Sequence, residues 1–252
     1  MSTPVRLAIV PSAGRGKRMM PLTADRPKPL IPIAGTPILE RILLGIRAAG
    51  IERAVIITGY LGEMIRDYFG SGERVGLQLT YREQDPPNGT GGALMLVEDL
   101  CGDEPFMLHW GDILVDPVNY PGLLQRFAQE PTTPACTMGL NWMDDPAAGA
   151  AVYVEGERMV KVVEKPAPGT STTHYNASGV MALGPQVWSY VHRVTPSPRN
   201  EIEFTDAVHM MIQANETMIG YPLTGLWSDV GTPEVVERLN GSWDARLNVG
   251  RG

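Results

Sequence analysis

The sequence predicts an α/β fold in which a mostly parallel sheet carries helices on both faces. Three observations support this. Short apolar runs at 7–10 and 54–57 have the length of strands buried on both faces. Between them, residues 36–50 show helical periodicity, with Ile38, Leu39, Ile42, Leu43 and Ile46 on one face. The alternation then continues through a chain of 252 residues, 43% hydrophobic, which is long enough to bury a sizeable core.

In chain order, the first strand covers 7–11 and a glycine turn follows. The helix at 36–50 takes Thr36 as N-cap and Pro37 in its first turn, with Gly50 past its end. A buried strand at 54–58, a short helix at 62–69 and a half-buried strand at 77–81 come next. Residues 83–92 form a proline-glycine loop leading into a helix from Ala93. Residues 105–112 read as a buried strand ended by Asp112, with His109 packed inside it. From 134 to 184 the segments shorten and alternate (135–140, 151–154, 159–163, 180–183), which predicts antiparallel strands extending the sheet. The acids from Glu201 to Asp206 mark a helix start, where they suit the positive end of the dipole. Thr232 and Pro233 open a last helix, and after about residue 240 the pattern fades into a polar tail.

Composition narrows the function classes. A net charge of −7 argues against nucleic acid or an anionic membrane as the main partner. The basic residues at 15–28 are a local exception that suits a small polyanion. Cys101 and Cys136 are the two cysteines, far apart, as in a reduced cytoplasmic protein. The N-terminus lacks a signal-peptide pattern and no apolar run approaches membrane length, so a soluble cytoplasmic protein is expected. A homo-oligomer is left open.

The richest stretch is 11–35, PSAGRGKRMMPLTADRPKPLIPIAG. Gly14 and Gly16 flank Arg15, Lys17 and Arg18 follow at once, and prolines on either side of Lys28 hold the backbone extended. Free N–H groups of a tight glycine turn and preset cations together make a cradle for a polyphosphate. It is not a P-loop, because one residue separates Gly14 from Gly16 and Arg18 follows Lys17. Met19 stands where the dinucleotide fingerprint needs a small residue.

The continuation, G-x-G-x-R-M-x-P-L-T and then P-K-P-L-I-P-I-A-G-x-P, resembles the sugar-1-phosphate nucleotidyltransferases, the NDP-sugar pyrophosphorylases. Within them it is similar to the glucose-1-phosphate thymidylyltransferases and UTP–glucose-1-phosphate uridylyltransferases. The resemblance implies a three-layer α/β/α, Rossmann-like (GT-A-like) nucleotidyltransferase fold with a mixed, mostly parallel central sheet. It implies one domain over 1–240, with a nucleotide half at 1–130, a sugar-phosphate half at 131–240, and a tail at 241–252. A fused acetyltransferase of the β-helix kind carried by longer relatives is not expected at this length.

The same resemblance implies site residues. Arg18 and Lys28 would bind the nucleoside triphosphate and stabilise the transferring α-phosphate, with Asp112 beside them. Ala13, Gly14, Gly16, Gln84, Gly89, Thr90 and Gly111 would bind the nucleotide. Asp112, in Gly111-Asp112, and Asp229, in Trp227-Ser228-Asp229-Val230-Gly231-Thr232-Pro233-Glu234, would hold Mg²⁺. Gly149, Glu164 and Lys165 of the E-K-P segment, Asn176 and Arg199 would bind the sugar phosphate. This chain departs from the pattern in Pro11-Ser12-Ala13-Gly14, in Lys17 where threonine is common, and in Asn176-Ala177-Ser178-Gly179, where N-x-G is commoner. A neutral amide at Gln84 matches the N3–H of uracil or thymine with its flanking acceptors, and also serves cytosine.

The expected reaction joins an NTP, with dTTP or UTP favoured, to a sugar 1-phosphate, with a hexose 1-phosphate favoured, giving NDP-sugar and pyrophosphate with Mg²⁺. The attacking phosphate is already anionic, so no protein nucleophile or base is needed. Cytidylyl or guanylyl transfer to another sugar or alcohol phosphate stays open, as does a glycosyltransferase that consumes NDP-sugars. A non-catalytic nucleotide sensor is the remaining alternative.

Overall fold

The computed structural model describes residues 3–198 and 200–248. In chain order the first half holds β1 (Leu7–Pro11), β2 (Pro32–Ile33), β3 (Thr36–Pro37), α1 (Ile38–Ala48), β4 (Arg53–Thr58), α2 (Gly62–Phe69) and β5 (Gln78–Glu83). Then come α3 (Thr90–Met95), α4 (Glu98–Cys101), β6 (Phe106–His109), β7 (Ile113–Val115) and α5 (Asn119–Ala128). The second half holds β8 (Cys136–Trp142), β9 (Ala150–Glu155), β10 (Arg158–Glu164), β11 (Tyr175–Leu183), α6 (Val187–Val191), α7 (Phe204–Gln213), β12 (Met218–Pro222), β13 (Trp227–Asp229) and α8 (Pro233–Ser242).

Nine strands form one sheet in the order β5-β4-β1-β6-β11-β8-β12-β10-β9. The first four strands in that order pair parallel, from β5 through β4 and β1 to β6. β11 joins antiparallel to both β6 and β8, while β12 runs parallel to β8 and β10 antiparallel to β9. The sheet is therefore mixed, parallel in the first half and largely antiparallel beyond it.

Side-chain alternation along β1 makes the layers. Leu7 and Ile9 enter an apolar core covered by α3, α6 and α7; Ala8 and Val10 enter a second core covered by α1, α2, α5 and α8. Both faces are thus buried, which is why β1 and β4 read as unbroken apolar runs.

Several boundaries differ from those the sequence suggests. Thr36 does not cap α1: Thr36 and Pro37 pair with Pro32 and Ile33 as a two-stranded ribbon, and Pro37 is still extended at φ −52°, ψ 144°. α3 starts at Thr90 rather than Ala93, because the Ala93 N–H already bonds Gly89 O at 3.1 Å. The glycines at 91 and 92 hide this helix from a propensity reading. β6 stops at His109, so Asp112 lies in the turn between β6 and β7. The segment after residue 240 is tied down. Asn240 Oδ1 accepts from Ala34 N at 2.7 Å, Arg41 lies over the Trp243 ring at 3.9 Å, and Arg41 also bonds Asn248.

His109 is fully buried, as expected of a packed strand residue. Its Nδ1–H donates to Trp110 O at 2.9 Å, which leaves Nε2 to accept from the Tyr120 hydroxyl at 2.9 Å. Burial drives its pKa down to about 4. The folded value lies below the unfolded one, so the unfolded chain takes up the proton first. The stability tied to neutral His109 is complete above pH 6.5 and lost as pH falls towards 4, by about 3 kcal/mol. Denaturant titrations of wild type and His109→Gln should therefore differ by that much less at pH 4 than at pH 7; a pH-independent difference would refute it.

Candidate active site

The loops that leave β1, β5 and β6 at their carboxyl ends wall a cavity of about 550 Å³. A second cavity of about 390 Å³ adjoins it over the antiparallel half. Both share Thr90, Trp110, Ile113, Lys165, Glu201, Glu203 and Asp229, so the two spaces open onto one another. Open α/β sheets bind ligands at this edge, where successive loops diverge.

The first cavity gathers most of the residues proposed for nucleotide. Ala13, Gly14, Arg18, Lys28, Gln84, Gly89, Thr90, Gly111 and Asp112 all line it. The 11–14 loop is held by Ser12 N on Ile57 O at 2.7 Å and Gly111 N on Pro11 O at 2.9 Å. A Cβ built on Gly14 meets nothing within 4 Å, which leaves room for a ligand to approach the backbone. Gly16 lies outside the lining; it shapes the turn, its carbonyl accepting from Thr23 Oγ1 at 2.9 Å.

Gln84 is nearly buried, and its amide NH₂ donates to Asn88 Oδ1 at 2.8 Å and Gly89 O at 2.9 Å. Both amide hydrogens are spent, so Oε1 is what the side chain offers the cavity. Its donor half, which the sequence reading assigned to the base's flanking acceptors, serves the loop instead.

Lys28 is the centre of the charge cluster. Its buried Nζ lies 2.7 Å from Asp112 Oδ2 and 3.8 Å from Asp229 Oδ1. Asp229 arrives there through the β7–β13 ribbon, in which it pairs with Ile113, and Val230 N bonds Asp112 O at 3.0 Å. Burial, and then the neighbouring Asp112 carboxylate, raise Asp229 above its ordinary value, while Lys28 and Arg18 pull the other way. Among the described residues no group of three or more His, Cys, Asp or Glu side chains could hold a metal. Two half-exposed carboxylates facing the first cavity nonetheless fit Mg²⁺, which takes one or two protein carboxylates and completes its shell with phosphate oxygens and water.

Gly149, Glu164, Lys165 and Asn176 line the second cavity. Lys165 follows β10 directly, in the left-handed region at φ 43°, its N–H donating to Gly149 O at 2.7 Å. Strain of that kind is held by its surroundings and clusters at ligand sites. Gly149 must lack a Cβ, which would fall on Asn176 Oδ1. Arg199 lies outside the described residues.

Glu201 and Glu203 were missed as site residues. Of the acids in that segment only Asp206 sits in the first turn of α7. Ile202 N bonds Asn88 O and Gly91 N bonds Ile202 O, both at 2.8 Å, and Thr90 Oγ1 accepts from Phe204 N at 2.9 Å. This pairing ties the chain ahead of α7 to the 88–91 loop and sets Glu201 and Glu203 on the shared rim. The strand-like alternation Glu201-Ile202-Glu203 was the available signal. It also explains Gly89, at φ 95°, where a Cβ would strike the Ile202 backbone.

A family model described as "Nucleotidyl transferase" matches residues 7–241. The chain is 30% identical over 228 residues to the UTP--glucose-1-phosphate uridylyltransferase AglF of Haloferax volcanii, covering 90% of this chain and 92% of that one. It is 29% identical over 232 residues to the Low-salt glycan biosynthesis nucleotidyltransferase Agl11 of the same organism, covering 91% of this chain and 63% of the other. Against a Glucose-1-phosphate thymidylyltransferase of Streptomyces griseus it is 31% identical over 225 residues, with coverages of 89% and 62%. The chain thus spans less than two thirds of the latter two proteins. Its fold matches a crystal structure of UDP-glucose pyrophosphorylase complexed with UDP-glucose, with a TM-score of 0.84 at 22% identity over 94% of this chain and 97% of that one.

Proposed function

The chain belongs to the nucleotidyl transferase family, and from that premise we infer that it transfers a nucleotidyl group from UTP or dTTP to a sugar 1-phosphate. A phosphate oxygen of the sugar 1-phosphate attacks the α-phosphorus, the bond to the β-phosphate oxygen breaks, and pyrophosphate leaves. The observation that carries this is the meeting of two cavities at one rim, with Asp229 on that rim and Lys28, in the first cavity, bridging it to Asp112.

Each group then has a task. The 13–14 backbone, Arg18 and Lys28 take the triphosphate, Gly89 and Thr90 shape the base loop, and Gly111 lets the 110–112 turn pack on β1. Gly149, Glu164, Lys165 and Asn176 take the sugar phosphate, with Arg199 from the family pattern. Asp112 and Asp229 would hold Mg²⁺, which when bound neutralises charge on the phosphate oxygens as it builds. Cations fixed in place ahead of the reaction stabilise that charge without reorganising, and joint binding supplies the alignment. Among the described residues no helix is long and apolar enough to cross a membrane. We place the enzyme in the cytoplasm, where nucleoside triphosphates are held.

The test is a matrix of NTPs against sugar 1-phosphates with Mg²⁺, scored by product mass and pyrophosphate release. Nucleotide sugar from a uridine or thymidine triphosphate is the expected result. A folded enzyme that makes no nucleotide sugar from any pair overturns the proposal.

Gln84 gives a narrower prediction. Its Oε1 accepts the N3–H of uracil or thymine. Gln84→Leu removes that acceptor and lowers kcat/KM for UTP or dTTP about tenfold or more, since a ligand donor is then buried without a partner. Unchanged kcat/KM would show that the base does not reach Gln84.

A further inference from the structure

The second cavity has a charged rim and an apolar floor. Lys165, Glu201, Glu203 and Asp229 stand on the rim shared with the first cavity, where the phosphates meet. Beyond the rim the lining turns to Met138, Met143, Val162, Met181, Phe204 and Val208. Five of these belong to strands β8, β10 and β11 or to α7 and are almost wholly buried: Met138, Val162, Met181, Phe204 and Val208.

Polar side chains are scarce at this end. Among the described lining residues away from the rim they are Glu164, Asn176 and Thr205. The Thr205 hydroxyl already donates to Glu164 Oε2 at 2.9 Å, and the Trp227 indole N–H is given to Ser178 O at 2.9 Å. Asn176 donates to Asn141 Oδ1 and Ala177 O, while its own Oδ1 is buried without a hydrogen-bond partner among the described residues.

A fully hydroxylated hexose would bring several hydroxyls to this floor, and each one buried without a partner is costly. A methyl group gains from the same surroundings, and methionine side chains shape themselves readily around it. Resting on the sugar 1-phosphate reading above, we propose that the preferred acceptor carries a methyl-tipped substituent in place of a ring or exocyclic hydroxyl. An acylamino group or a deoxy carbon supplies that chemistry. The methyl seats on Met138, Met181 and Val162, which line the cavity.

The test compares kcat/KM for glucose 1-phosphate, N-acetylglucosamine 1-phosphate and 6-deoxyglucose 1-phosphate, each with UTP and with dTTP. One methyl-bearing sugar should exceed glucose 1-phosphate by about tenfold or more, the range a buried methyl is worth in a pocket, and the better of the two identifies the substituent. Met181→Gln, similar in length but polar, should shrink that ratio; if it does not fold, Met143→Gln replaces it. Glucose 1-phosphate used as well as or better than both methyl-bearing sugars overturns this proposal and leaves nucleotidyl transfer standing. No product from any of the three, nor from the wider matrix, overturns the underlying reading and this one with it.

Discussion

Lys28→Ala lowers turnover by about a hundredfold or more while the protein stays folded. Lys28 is the most deeply held charged group of the three, its side chain 10% exposed against 42% for Asp112 and 48% for Asp229. The short helical turn that begins at Lys28 is entered from an extended Pro27, so the ammonium is aimed before any substrate arrives. A fixed charge of this kind meets the developing negative charge of the transferring phosphate without reorganising. Folding survives the change because the two carboxylates left behind stay half exposed to water. A second readout separates this role from a structural one. In the wild type Lys28 competes with any metal for Asp112 and Asp229, so Lys28→Ala should bind Mg²⁺ more tightly while catalysing more slowly. Calorimetry with Mg²⁺ alone and pyrophosphate release with both substrates measure the two effects. Turnover near wild type would remove Lys28 from the mechanism.

How much of this could be read from residues alone depended on whether the signal was local. The glycine turn, the prolines around Lys28 and the apolar runs of β1 and β4 are local, and the structure sets them as a loop, a preset cation and buried strands. Thr36 was misread because a two-residue ribbon with Pro32-Ile33 outcompetes capping, and such pairing leaves no periodic trace. The start of α3 was hidden behind glycines that ordinarily break helices. Glu201 and Glu203 illustrate the harder case: their position follows from hydrogen bonds to residues 88–91, more than a hundred positions away in the chain. The approach of Asp112 to Asp229 is equally non-local, since it is made by the β7–β13 ribbon. The family pattern supplied that pairing where periodicity could not.

Asp112→Asn should also lower turnover by about a hundredfold or more, and it should do so through the metal. The amide keeps the size of the carboxylate but drops its charge, which weakens a hard cation's hold more than it disturbs packing. The loss should therefore shrink as Mg²⁺ concentration rises, whereas the loss in Lys28→Ala should not. Asp229→Asn should behave in the same way, since the β7–β13 ribbon brings both carboxylates to one Lys28 ammonium. Groups that act as a unit are not additive, so the double variant Asp112→Asn/Asp229→Asn should be little slower than the worse single one. The Asp112→Asn change carries one further consequence. The Asp112 carboxylate helps to raise the pKa of Asp229, so its neutralisation lets Asp229 ionise more readily and partly restores the local charge at low pH. Pyrophosphate release measured over a Mg²⁺ series for the three variants decides the matter. Full activity with an unchanged Mg²⁺ dependence in Asp112→Asn would mean that the cation, if used, is held elsewhere.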